Sequence, residues 1–162
     1  MSALDAFFLV WSRARDTFGS GEPTDGTAFD RSAEFLALQD SIRSAAPGSA
    51  WCGAAADTYG AANGAHAERV GRLAELDRQL RTEVAGSAGT VQAGRDELDA
   101  IHDRVAELAA AIPDTADGDY ALWSLLSQAS AAVGDTLTRS YAELNAISLR
   151  IKDISRRWAA LG

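Results

Sequence analysis

Apolar and small residues recur along this chain at steps of three and four rather than two, which predicts helices throughout and no sheet. Leu4, Phe7, Phe8 and Trp11 form the first such stripe. Ser2, with Asp5 three residues later, reads as a capping box, so a first helix is expected from Leu4 to about Phe18. The stretch "GSGEPTDG", Gly19 to Gly26, collects turn residues without a period and predicts a loop that leaves the first helix free to move. Thr27 and Asp30 repeat the cap pattern. Phe35, Leu38, Ile42 and Ala45 then place one stripe on a second helix, about Phe29 to Ala46, which Pro47-Gly48 ends.

Beyond "PGSAWCGAAADTY" (Pro47 to Tyr59) a longer pattern begins. Leu73, Leu76, Leu80, Val84, Val91, Leu98, Val105 and Ile112 lie on one heptad seam with a four-residue stutter between Leu80 and Val84. Unbroken from Ala54 to Ile112, such a helix is roughly 90 Å long. "AGSAG", Ala85 to Gly89, is its weakest stretch, because each interior glycine costs up to about 1 kcal/mol relative to alanine. Two readings apply there: a hinge, or small residues that admit a neighbouring helix. Pro113 to Asp119 is a turn and N-cap, and Leu126, Val133, Leu137, Tyr141, Leu144, Ile151, Ile154 and Trp158 carry a last long helix. The predicted fold class is all-α, an elongated antiparallel helical hairpin or bundle of about four helices with a W-x-G helix-turn-helix. It is read as a single helical domain over 1–162: N-terminal helix and loop (1–26), helix-turn-helix with a long second helix (27–112) and C-terminal helix (113–162).

Composition narrows the function more than the fold. The 162 residues are 47% hydrophobic and carry a formal charge of -8, which disfavours electrostatic capture of nucleic acid or of an anionic membrane. One cysteine, Cys52, permits no internal disulfide. Leu4 to Trp11 is too short to span a bilayer and follows no basic segment, so neither a Sec-type leader nor an interfacial membrane anchor is expected.

Candidate chemistry is sparse. His66 and His102 alone could transfer protons near neutral pH, and on one straight helix they lie roughly 54 Å apart. Asp99-x-x-His102 is close to the Glu-x-x-His of di-iron bundles, but its counterpart Asn63-x-x-His66 has an amide where a carboxylate is needed. Nucleophile-elbow, phosphate-loop and dinucleotide patterns are absent. No catalytic residue, cofactor or metal is therefore expected. The acidic and basic residues of the long helices read as a solvated face with i,i+4 pairing. Trp123, Tyr141 and Trp158 are expected in the core. Trp51 is either a plug closing the bundle or an exposed docking aromatic, with Gly53 letting the backbone pass close to another element.

Trp51-x-Gly53 between two helices resembles the W-x-G turn of type VII (ESX) secretion substrates. Pro47-Gly48, Ala55-Ala56-Asp57, Tyr59, Asn63, His66 and "LAELDRQL", Leu73 to Leu80, extend the likeness to the N-terminal domain of EspA/EspE-type ESX secretion-associated proteins of mycobacteria, over about Phe29 to Leu98. The resemblance implies a virulence-associated helical protein, secreted or surface-exposed through type VII secretion, with Trp51 and Gly53 as the turn recognised by the secretion machinery. Tyr59, Asn63, His66, Leu73, Leu76, Asp77, Arg78 and Leu80 would form the partner or hairpin face. In such systems a Tyr-x-x-x-Asp/Glu sequence completes the signal. Here Tyr59, Tyr120 and Tyr141 are followed at the fourth position by Asn63, Ser124 and Asn145, so a small helical partner would have to supply it. The long apolar middle region and low-complexity tail of the larger family members have no counterpart in these 162 residues. The alternative is a cytoplasmic coiled-coil adaptor that forms a homodimer.

Overall fold

The computed structural model describes residues 2–161, and its described elements are helical. In chain order they are α1 (Ala3–Asp16), a 3-10 turn (Thr27–Phe29), α2 (Ser32–Ser44), α3 (Ala54–Ala111) and α4 (Ala116–Ala159). Helical structure runs through Ala85–Gly89 without a break. A methyl at Gly86 would meet Ile147 at an ordinary 3.8 Å, and at Gly89 it would meet nothing. Two compact units share the long helices: one combines the N-terminal segment up to Pro23 with Ser87–Ala146, the other combines Thr24–Gly86 with the segment from Ile147 onward.

In the first unit, α1 starts at the expected capping box, Ser2 and Asp5 each accepting the other's backbone N–H. Its apolar stripe packs Phe7 and Ala14 against Leu98 and Val105 of α3 and Leu126, Ala129 and Val133 of α4. The Trp11 indole donates to the Leu98 carbonyl at 2.6 Å, and Arg15 pairs with Asp99 at 2.9 Å. The loop expected to free α1 instead holds it. Arg95, 7% exposed, sends its guanidinium to the carbonyls of Phe18 (2.6 Å) and Gly21 (2.7 Å). The buried cation thus takes two carbonyls of the loop just past α1, whose own last carbonyls accept the amides of Thr17, Phe18 and Gly19. Close approach requires Gly94, where a methyl would collide with the Phe18 ring. Arg139 bridges α4 to Glu97 of α3 at 2.7 Å.

In the second unit, α4 runs antiparallel to α3, with Arg150 on Glu83 (2.8 Å) and Arg157 on Gln79 (3.0 Å). Leu76 and Ile154 are buried. Trp158 meets Phe35 of α2 edge-on with ring centres 5.8 Å apart. Core placement thus suits Trp158 but not the other two aromatics: Trp123 is 66% exposed and Tyr141 63%. The buried stripe of α4 passes instead through Thr136 and Ser140, small polar residues that let the helices approach. Helix α2 is shorter than its apolar pattern because side chains take over its first turn. Asp25 accepts from the amide and hydroxyl of Thr27, and Asp30 does the same for Ser32.

Two measurements check this account. Arg95→Met keeps the aliphatic stem but removes the guanidinium, so it should cost about 2 kcal/mol in urea unfolding and speed proteolysis within Gly19–Gly26; unchanged cleavage would mean that the loop is held by other contacts. The second concerns acid. Asp5 is held below the ordinary carboxylate pKa mainly by the Ser2 backbone N–H, Asp25 by the Thr27 hydroxyl and Asp30 by the Ser32 hydroxyl. A depressed carboxylate stabilises the fold above its unfolded value, about 3.9, and that stability is lost as pH falls through the lower folded value. Melting by circular dichroism should therefore drop as pH falls below about 4, and the triple Asp→Asn variant at these positions should melt lower at pH 7 with a shallower acid decline.

Candidate functional site

The turn between α2 and α3 is built from its glycines outward. The α2 backbone closes at Ala45, whose amide reaches the Ser41 and Ile42 carbonyls at 3.2 and 3.1 Å, and proline at position 47 cannot continue the helix. The Trp51 amide donates to the Gly48 carbonyl at 3.1 Å, forming a tight turn. Gly53 has φ +101°, and the Asp57 amide donates to its carbonyl at 3.0 Å to start α3. A Cβ at position 53 would meet nothing within 4 Å. The expectation that Gly53 admits a passing element is thus corrected: it is needed for its left-handed backbone, which L side chains adopt at a cost.

Trp51 leans on Tyr59, one turn into α3, with ring centres 5.2 Å apart and planes tilted by 44°. The pair stays open to solvent, Trp51 48% and Tyr59 42% exposed, so Trp51 does not plug the bundle. Its indole N–H has no hydrogen-bond partner among the described residues. Small Ala56, 3% exposed, is buried nearby in sequence and lets the first turn of α3 seat against the hairpin. Cys52 is exposed.

Below the turn, α3 side chains hold α2 at both ends, and an α2 side chain bonds the α3 backbone in the middle. Asn63 donates to the Ile42 carbonyl at 2.6 Å, a second bond on a carbonyl in the last turn of α2 that also accepts from Ala45. Buried Gln39 donates to the Ala67 carbonyl at 2.9 Å and lies in space that the absent side chain of Gly71 leaves. Asp77, 4% exposed, accepts the backbone N–H of Arg31 at the α2 N-terminus, where a carboxylate also meets the positive end of the dipole. Arg81 adds an ion pair to Asp30 at 3.2 Å.

The expected face therefore divides. Asn63 and Asp77 bond α2 across the hairpin, Leu76 is buried, Leu73 and Leu80 are half-buried, and Arg78 is a surface residue bonded to Glu75 at 2.9 Å. His66 and Tyr59 are exposed. Gln39, Asp30 and Arg81 were missed. A lone amide within the α2 stripe, four residues from Phe35, opposite a glycine on α3, was the one signal that could have found Gln39.

The histidines do not converge. His102 lies against Phe8 and Trp11 of α1, with ring centres at 4.8 and 4.5 Å, and its Nδ1 is 3.0 Å from Asp103. Among the described residues no group of three or more His, Cys, Asp or Glu side chains is arranged to hold a metal ion. No described helix is long and apolar enough to cross a membrane.

Comparison with known proteins fits this hairpin. A profile of the EspA/EspE family matches residues 18–100, about half of the chain. Two relatives named ESX-1 secretion-associated protein EspA, from Mycobacterium tuberculosis strains CDC 1551 / Oshkosh and ATCC 25618 / H37Rv, are each 36% identical over 101 residues. That alignment covers 61% of this chain and 24% of each relative, so the chain spans about a quarter of their length. No solved structure matches. With the profile covering about half of the chain and falling on the clamped hairpin, the chain belongs to the EspA/EspE family.

Proposed function

We propose that this protein is a non-enzymatic ESX (type VII) secretion-associated protein, exported as a helical substrate to the cell surface or medium. Its action is assembly with a small helical protein of the W-x-G kind. The observation that carries this reading is the turn itself: Trp51 is half exposed and stacked on Tyr59, with its N–H unoccupied, at the tip of a hairpin whose register is fixed from both ends. Membership in a family whose relatives are named for ESX-1 secretion supports it.

In this scheme Trp51 and Gly53 form one half of a composite signal. The partner contributes the Tyr-x-x-x-Asp/Glu half that this sequence lacks, and the secretion machinery reads both together. Asn63, Gln39 and Asp77 do not touch the machinery; they hold the turn at a fixed place on the hairpin. Burial of apolar surface, at about 25 cal/mol per Å², drives the assembly. Surface charge selects the partner more than it tightens binding.

Export from a host with an active ESX system tests the scheme. Trp51→Ala and Gly53→Ala, each with helical content unchanged by circular dichroism, should lower the ratio of exported to cell-retained protein by at least about ten-fold, the equivalent of 1.4 kcal/mol of recognition. Export at the unaltered level by both variants would overturn the secretion role and favour the homodimeric adaptor.

A further inference from the structure

The hairpin tip has one face that the described residues leave open. Helix α4 covers the α3 seam only as far as its last turn, where Trp158 and Ala159 line a groove with Asp77 and Leu80. From there back to the turn, about 20 residues or roughly 30 Å of α3 carry α2 on one side and, among the described residues, no helix on the next. At 100° per residue, Tyr59, Ala62, His66 and Leu73 fall in the sector of α3 that holds Leu80 and Val84 under α4. Leu38 and Ile42 continue the side of α2 on which Phe35 meets Trp158. The difference in burial is sharp. Ala56, Ala67 and Val70, on the α2-facing side of the same stretch, are at most 5% exposed, whereas Leu38 is 49% and Tyr59 42% exposed.

Charge then says what fits. Arg69 lies beside this face and makes no ion pair among the described residues, although its neighbours are compensated: Arg72 by Glu68 at 3.7 Å and Arg78 by Glu75 at 2.9 Å. On the α2 rim, Glu34 is engaged by Arg31 and Arg43 lies 3.7 Å from Asp40. The uncompensated charged side chain described at the face is thus Arg69, in a chain whose net charge is -8. A second copy presenting the same face would bring another free arginine and no free carboxylate to meet it.

We propose that this open face, bounded by Leu38 and Ile42 on α2 and by Tyr59, His66 and Arg69 on α3, seats one amphipathic helix of a separate protein whose apolar stripe is flanked by carboxylates. The proposal rests on the preceding reading that the hairpin takes a helical partner, and adds where the partner sits and which charge it carries. The incoming helix extends the packing seam that α4 begins, and its carboxylates meet Arg69.

The test uses two synthetic helical peptides with the same leucine and alanine stripe, one flanked by glutamates and one by lysines, titrated by fluorescence anisotropy against the full 162-residue chain. The glutamate peptide should bind at least about ten-fold more tightly, Arg69→Glu should reverse that preference, and Leu38→Asp should abolish binding of both. Both substitutions fall on exposed side chains, and circular dichroism checks the fold. Absence of binding, equal binding of the two peptides, or a preference untouched by Arg69→Glu would overturn the proposal. So would self-association in sedimentation that Leu38→Asp removes, since that assigns the face to a second copy. The assay does not involve export, so the face can stand while the secretion role fails, and the reverse.

Discussion

The three polar bonds from α3 to α2 set the geometry on which the hairpin depends. An isolated helix of thirteen residues is marginal in water, and its ends leave donors and acceptors without partners. Here α3 adds bonds at both ends, a second donor on the Ile42 carbonyl and a carboxylate for the N-terminal amide of Arg31, and Gln39 of α2 returns a bond in the middle. A slip by one turn would leave all three donors or acceptors unmatched in partly buried surroundings, each at about 1–3 kcal/mol. Apolar packing between two alanine-rich helices has little such discrimination, because many registers bury similar area. The polar bonds select one register, and the Trp51 turn inherits its position from them.

The N-terminal helix is fixed by a related device with opposite sign. Arg95 is buried without a carboxylate, which would ordinarily be costly, but the carbonyls of Phe18 and Gly21 converge on its guanidinium. The loop just past α1 supplies partial negative charge in place of a formal one. This arrangement also explains why Gly94 and Ser140 face Phe18: the chain segment after α1 must lie close to both long helices for its carbonyls to reach the arginine.

The long helices were legible in the sequence because their seams repeat often enough to exclude any other period, and the buried Leu76, Leu98, Val105, Leu126 and Val133 are the residues the repeat marks. Their glycines were legible only as alternatives, since nothing local distinguishes a hinge from a contact. The role of Arg95 was not legible, because its partners lie more than seventy positions away in sequence. Trp123 and Tyr141 misled because large aromatics carry a strong burial prior, whereas on α4 the buried sector runs through Thr136 and Ser140 beside them. At the hairpin, resemblance picked out Asn63 and Asp77 as part of a face without saying that they point inward. Periodicity was blind to them because a capping side chain is polar and sits where the stripe predicts apolar residues.

The glycine at position 53 carries a consequence about handedness. Its surroundings are empty, so volume does not restrict the residue there; its φ of +101° does. An L-alanine and a D-alanine have the same size and the same hydrophobicity, yet only the mirror-image residue reaches this backbone conformation without penalty. Gly53 is thus required for the absence of an L-configured Cβ and not for the absence of bulk.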